Sequence, residues 1–162
     1  EQIEVAVQSQ YMTEQEREEF LKKFEQERTH SLIGFCVMGG IFSEGIDLTE
    51  DKLIGAMIIG TGLPQVCLER EILKYYFDRK NLNGFDYAYL YPGMNKVLQS
   101  AGRVIRTDQD RGVITLLDDR FMDRQCQEVF PREWSDFQIC NSENIEEKIA
   151  NFWKAEEQTD TK

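Results

Sequence analysis

Three short runs in this chain are apolar without alternation: SLIGFCVM at 31–38, GAMIIG at 55–60 and GVITLL at 112–117. A strand with one wet face alternates apolar and polar side chains, so runs of this kind read as strands covered on both faces. Between them the period changes. Leu68, Ile72, Leu73, Tyr76 and Phe77 recur at helical spacing over 66–78, and a second helical pattern runs near 94–106. Buried strands alternating with helices predict an α/β domain with a mostly parallel sheet flanked by helices. IEVAVQ at 3–8 alternates like a further strand, and YAYLY at 87–91 is an aromatic strand candidate. Thr13, with Glu16 three positions on, predicts a capping-box start for a helix over 14–28 whose apolar stripe is Phe20, Leu21 and Phe24. A last helix around 143–156 places Ile145, Ile149, Phe152 and Trp153 at i, i+4, i+7 and i+8, and the tail beyond is expected to fray.

The 162 residues suit one domain with a single core. A formal net charge of −11 argues against a free-standing nucleic-acid binder with a basic face. It leaves room for a local basic strip. The acids concentrate in TEQEREEFLKKFEQER and SENIEEKIANFWKAEEQ, which read as solvated helix faces. The chain begins at Glu1 without an initiator methionine, and it holds no signal-like run and no stretch long enough to span a bilayer. An intracellular, cytoplasmic protein with no membrane partner is expected, compatible with a piece of a longer one. Cys36, Cys67, Cys126 and Cys140 form no C-x-x-C pair and there is one histidine, His30. No metal site is expected, and the cysteines read as buried reduced thiols.

Against the acidity, QSAGRVIRTDQDRG at 99–112 holds Arg103, Arg106 and Arg111. On a helix over 94–105, Gln99, Arg103 and Arg106 fall within roughly 60° of one another. Met94, Val97, Leu98, Ala101, Val104 and Ile105 cluster on the opposite side, and Gly102 beside the polar stripe permits close approach. Two guanidinium forks pointing one way suit phosphate oxygens, including charge developing on a transferred phosphoryl group. The alternative is a surface helix whose arginines pair with acids such as Asp108 or Asp110. In parallel sheets ligands sit at the carboxyl ends of the strands. Three loops are placed there: GGIFSEGIDL at 39–48, GTGLPQ at 60–65 and YPGMN at 91–95, with the arginine run following the last. GIFSEG is not a nucleophile elbow, since Ile41 stands where glycine is required. GTGLPQ is not a dinucleotide fingerprint, since Gln65 stands at the third glycine.

QSAGRVIR resembles motif VI, Q-x-x-G-R-x-x-R, of superfamily 2 helicases, and GGIFSEGIDL resembles motif V in the form found in their XPD/DinG group. VAVQSQYMTEQEREEFLKKFEQ, AMIIGTGLPQV and RGVITLLDDRF resemble other segments of that group in the same order, over roughly residues 3–135. The resemblance implies a RecA-like three-layer domain over 1–156, the second motor domain of a DNA helicase, lacking its motif IV strand and helix. It implies ATP, with magnesium held mainly by a first RecA-like domain of the same polypeptide. Arg103 and Arg106 would approach the γ-phosphate, and Gln99 would orient them or the attacking water. Gly102 would line the site. Gly45 and Asp47 would face the ribose or couple the cleft to DNA, and Glu44 matches the same motif. Single-stranded DNA would cross the loops at 8–12, 39–45 and 60–65. No G-x-x-x-x-G-K-[ST] phosphate loop occurs in the chain, so it would carry half an ATPase site. The iron–sulfur cysteines of some members would likewise lie in the absent half. Two other readings stand beside this one: a non-catalytic interaction module that keeps the helicase fold, and a flavodoxin-like nucleotide-binding enzyme.

Overall fold

The computed structural model describes residues 2–40, 52–107 and 110–157. The chain divides into two compact units, residues 1–129 and 130–162.

The first unit is α/β, with parallel strands and helices packed on them. β1 (Ile3–Val7) leads through α1 (Glu14–Glu25) to β2 (Ser31–Phe35), and the two strands pair in parallel with Ile3 opposite Ser31 and Val7 opposite Phe35. The predicted capping box is present: Thr13 Oγ1 accepts from the Glu16 amide at 3.3 Å, and Glu16 Oε2 accepts from the Thr13 amide at 2.7 Å. The helix stops at Glu25, short of residue 28, because Gln26 turns extended. Phe20 packs on Ala6 as the buried centre of this half, with Met12, Leu21, Phe24 and Leu32 at its margin. Glu4 ties the three elements together. It accepts from Lys23 Nζ at 3.2 Å, from the Arg28 guanidinium, and lies 3.4 Å from His30 Nε2.

β3 (Gly55–Ile59) pairs in parallel with β4 (Val113–Leu117), Gly55 opposite Val113 and Ile59 opposite Leu117. Among the described residues the strands form two such pairs rather than one continuous sheet. Between β3 and β4 run α2 (Leu68–Asp78), a π-helical turn (Asp86–Leu90) and α3 (Tyr91–Ala101). YAYLY is therefore helical, not a strand, and YPGMN is the start of α3, not a loop. Ala88, Tyr89, Leu90, Gly93, Met94, Val97 and Ala101 are the buried positions, a spacing of a continuous helix. Pro92 has no amide hydrogen and its ring crowds the preceding turn; the helix accommodates it by widening, with the Tyr91 amide reaching back five residues to the Asp86 carbonyl. α2 buries none of its side chains. It is held to the next helix by Arg70 donating to the Ala88 carbonyl at 2.6 Å, by the Tyr89 hydroxyl donating to Glu71 at 2.6 Å, and by Phe77 stacked on Tyr87 at 4.0 Å.

The strands are covered on one face, not two. Ile3, Val5 and Val7 share an exposed face with Ile33 and Phe35, Val7 being 63% exposed, and Ile59 is 70% exposed beside Met57 and Leu117. An unbroken apolar run records which surfaces avoid water, and does not say which element covers them; here α1 and α3 cover one side each. The thiols also depart from expectation: Cys126 is buried, whereas Cys36, Cys67 and Cys140 are exposed.

The second unit holds α5 (Ile145–Glu157), after the one-turn α4 (Arg124–Gln127) that ends the first. Phe130 meets Trp134 and Phe137 edge-on at 5.3 and 5.9 Å, and Lys148 donates to Gln138 Oε1 at 3.0 Å. Ile145, Ile149 and Trp153 are the half-buried stripe of α5.

One contact positions the rest of the first unit. The loop after β3 passes over α3 so closely that a methyl group on Gly93 would stand 2.7 Å from the Thr61 carbonyl oxygen and 3.1 Å from the Leu63 nitrogen. Both neighbours are backbone and cannot swing aside. Gly93→Ala is expected to lower stability by about 1–3 kcal/mol, read as a lower urea midpoint at unchanged slope. A wild-type midpoint would show that the loop moves freely. Glu4 supplies a pH test. Lys23, then Arg28 and His30, hold its carboxyl at about 2. A depressed folded pKa stabilises above the ordinary carboxylate range and loses that contribution as pH falls toward 2. Glu4→Gln should therefore be less stable than wild type at pH 7, with the gap closing between about pH 5 and pH 2. A gap independent of pH would remove the clamp.

Candidate functional site

α3 carries the site, and its two ends do different things. At its C-terminal end Gly102 caps the helix with φ −65° and ψ −2°, its amide donating to the Leu98 carbonyl at 2.9 Å. Arg103 and Val104 continue as a tight turn, their amides reaching the Ser100 and Ala101 carbonyls at 3.3 and 3.0 Å. The expected helix over 94–105 is thus four residues too long at its end. Arg103 lies in the turn and Arg106 beyond it, so regular helix geometry does not relate Arg106 to Gln99. The shortening follows from Gly102, the poorest helix former in the run apart from proline. Asp110 then organises the segment: its Oδ2 accepts from the amides of Arg106 and Thr107 at 2.8 and 2.7 Å. Arg103 and Arg106 are half-buried, Gln99 and Gly102 exposed.

Where this turn sits differs from the expected single rim. Val104 packs against Gly112, where a methyl group would also meet the Ile54 carbonyl oxygen at 2.9 Å, and the Val113 amide donates to that carbonyl at 3.0 Å. The arginine turn is therefore anchored at the amino ends of β3 and β4.

The opposite end of α3 joins the carboxyl ends of the strands. Gly62, at φ +64°, lies against the Gly93 carbonyl and Met38 Sδ, each 2.9 Å from where a Cβ would stand. Gln8 bridges the ends of β1 and β2: its amide donates to the Phe35 carbonyl and its Oε1 accepts from the Val37 amide, both at 2.8 Å. After β4, Asp118 accepts from the Arg120 amide at 3.0 Å and from its guanidinium at 2.8 and 2.6 Å, which holds the Asp118 carboxyl at about 2. The loops at 8–12, 36–40 and 60–63 thus gather on one rim with the first turns of α3. Beneath it Thr61 is buried with its hydroxyl unpartnered among the described residues, beside Cys126, whose thiol burial pushes up. Tyr89, donating to Glu71, is pushed up to about 12.

Glu44, Gly45 and Asp47, and the rest of 41–51, lie outside the described residues, as does Asp108. Two features went unread in the sequence. One is the Gly62–Gly93 approach, signalled only by the glycines of GTG and YPG. The other is Lys96, which extends the Gln99–Arg103 stripe one turn back and could have been found by continuing the same spacing. Guanidinium donors fit a phosphate. Among the described residues no group of three or more His, Cys, Asp or Glu could hold a metal ion.

The family described as "Helicase C-terminal domain" matches residues 1–137. A protein named Regulator of telomere elongation helicase 1 homolog, from Caenorhabditis briggsae, is 32% identical over 136 residues, covering 77% of this chain and 14% of that protein. ATP-dependent DNA helicase DinG of Photobacterium profundum is 36% identical over 88 residues, 53% of this chain and 13% of its own length. ATP-dependent DNA helicase chl-1 of Caenorhabditis elegans is 36% identical over 91 residues, 54% of this chain and 11% of its own. The chain thus matches only 11–14% of the length of these relatives. With a parallel α/β unit, a helix that runs into Q-S-A-G-R-V-I-R and stops at its glycine, and a family match over most of its length, the chain belongs to the helicase C-terminal domain family, in its XPD/DinG-like branch.

Proposed function

We propose that this chain is the second motor domain of an ATP-dependent DNA helicase, supplying arginines to a nucleotide bound mainly by a first RecA-like domain. The observation that carries the reading is the arginine turn. Gly102 ends α3, and the Asp110 carboxylate gathers the amides of Arg106 and Thr107. Arg103 and Arg106 are thereby held on a compact segment anchored to two strands. Preorganised guanidiniums of this kind stabilise charge that develops on a transferred phosphoryl group. In the proposed roles Arg103 and Arg106 contact the γ-phosphate, Gln99 orients them or the attacking water, and Gly102 allows close approach. Gly45, Asp47 and Glu44 belong to the same reading through their motif. Bound ATP with magnesium supplies the phosphoryl group and its charge neutralisation, and the residues here bind and orient it. The gathered loops at 8–12 and 60–63, with 39–45 beside them by sequence, are proposed to track single-stranded DNA. Tracking along the backbone needs no sequence readout.

The test uses the full-length protein that carries this chain. Arg106→Ala is expected to lower single-strand-DNA-stimulated ATP hydrolysis by about 10³-fold or more at unchanged circular dichroism. The chain by itself, having no phosphate-loop sequence, is expected to show negligible turnover. Hydrolysis at full rate in the variant would overturn the catalytic role. Absence of hydrolysis in the intact wild type would favour the interaction-module reading.

A further inference from the structure

We propose that Lys96 is a phosphate-contacting residue of the nucleic-acid rim, so that α3 carries two cationic stations with separate ligands. The inference rests on the helicase reading and names a residue that the motifs leave out.

Lys96 sits in the second turn of α3, half-buried. Its stem lies flat over Gly39: Cδ, Cε and Cγ are 2.9, 3.1 and 3.3 Å from where a Cβ on that glycine would stand, and Gly39 holds φ +74°. A lysine laid along backbone in this way has lost much of the freedom of a surface side chain, and its ammonium is delivered to the loop at 36–40. Among the described residues the ammonium makes no ion pair or hydrogen bond. That is informative in a chain with 30 Asp and Glu against 19 Lys and Arg. Several other cations are taken up: Lys23 and Arg28 by Glu4, Arg120 by Asp118, Arg124 by Glu128. A placed and uncompensated cation at a rim of loops is a site for an anion.

The source of the anion follows from position. Lys96 stands seven residues before Arg103, about 10 Å along a helix axis. Arg103 continues near the helical path through Gly102 and is anchored at the amino ends of β3 and β4, whereas Lys96 leans on the carboxyl-end loops. A phosphate met by Lys96 therefore lies on the face where the loops at 8–12, 36–40 and 60–63 converge. A backbone phosphate of single-stranded nucleic acid fits that place; the nucleotide belongs to the other end.

The experiment compares wild type, Lys96→Met and Lys96→Arg in the full-length protein. Methionine keeps the stem on Gly39 and removes the charge; arginine keeps the charge. Affinity for a labelled oligothymidylate is measured by anisotropy from about 50 to 200 mM salt, with the KM for ATP alongside. Lys96→Met is expected to bind several-fold more weakly at low salt, with the slope of log K against log salt reduced by about 0.7, the value of one single-strand phosphate contact. Lys96→Arg should match wild type, and the KM for ATP should not move. An unchanged slope in Lys96→Met overturns the proposal while leaving the helicase reading intact. A raised KM for ATP with unchanged DNA affinity overturns it in favour of a nucleotide contact. Failure of wild type to bind the oligonucleotide at all removes the nucleic-acid rim itself, and the inference with it.

Discussion

The contact between the β3 loop and α3 at Gly62 and Gly93 decides how the first unit is put together. Two backbones approach to distances that no Cβ would allow, so the loop that leaves β3 is fixed against the start of α3. Packing on the inner side then follows: Met94, Val97 and Ala101 are buried, and so is Thr61 within the loop. On the outer side the same contact brings the ends of three loops to one rim. With bulkier residues at either glycine, α3 would stand off the strands and the rim would open.

Electrostatics works in the same direction. This is an acidic chain, yet several of its carboxylates organise structure. Glu4 joins β1, α1 and the entry to β2; Glu71 fastens α2 to the π-helical turn; Asp110 shapes the arginine turn; Asp118 closes the end of β4. Asp110 and Asp118 accept from backbone amides, whereas Glu4 and Glu71 accept from side chains.

How much of this was legible in the sequence varies with the physics behind each element. β2, β3 and β4 were readable because apolar side chains crowd into short runs, and α1 because Thr13 and Glu16 satisfy each other locally. α2 and α5 were readable from their period. YAYLY was misread because aromatic residues favour strands locally, while packing around Ala88 and Leu90 favours helix; tertiary burial prevailed. The end of α3 was misplaced because an apolar stripe through Val104 and Ile105 continues past the residue, Gly102, that stops it. Family resemblance found the arginines where periodicity alone left a surface helix open. Lys96 escaped because its placement depends on Gly39, which is distant in sequence.

α3 is eleven residues long, bounded by the widened turn before Pro92 and by Gly102. A helix of that length is a stiff strut of roughly 16 Å. One end is pinned to the rim loops and the other to the turn that carries Arg103. A displacement imposed at the rim cannot be absorbed within the strut; it must reappear as a tilt or shift of the arginine turn, undiminished except by give in the two end joints. The widened turn lies outside the strut, upstream of Pro92, so whatever compliance it has does not soften the link between the two ends.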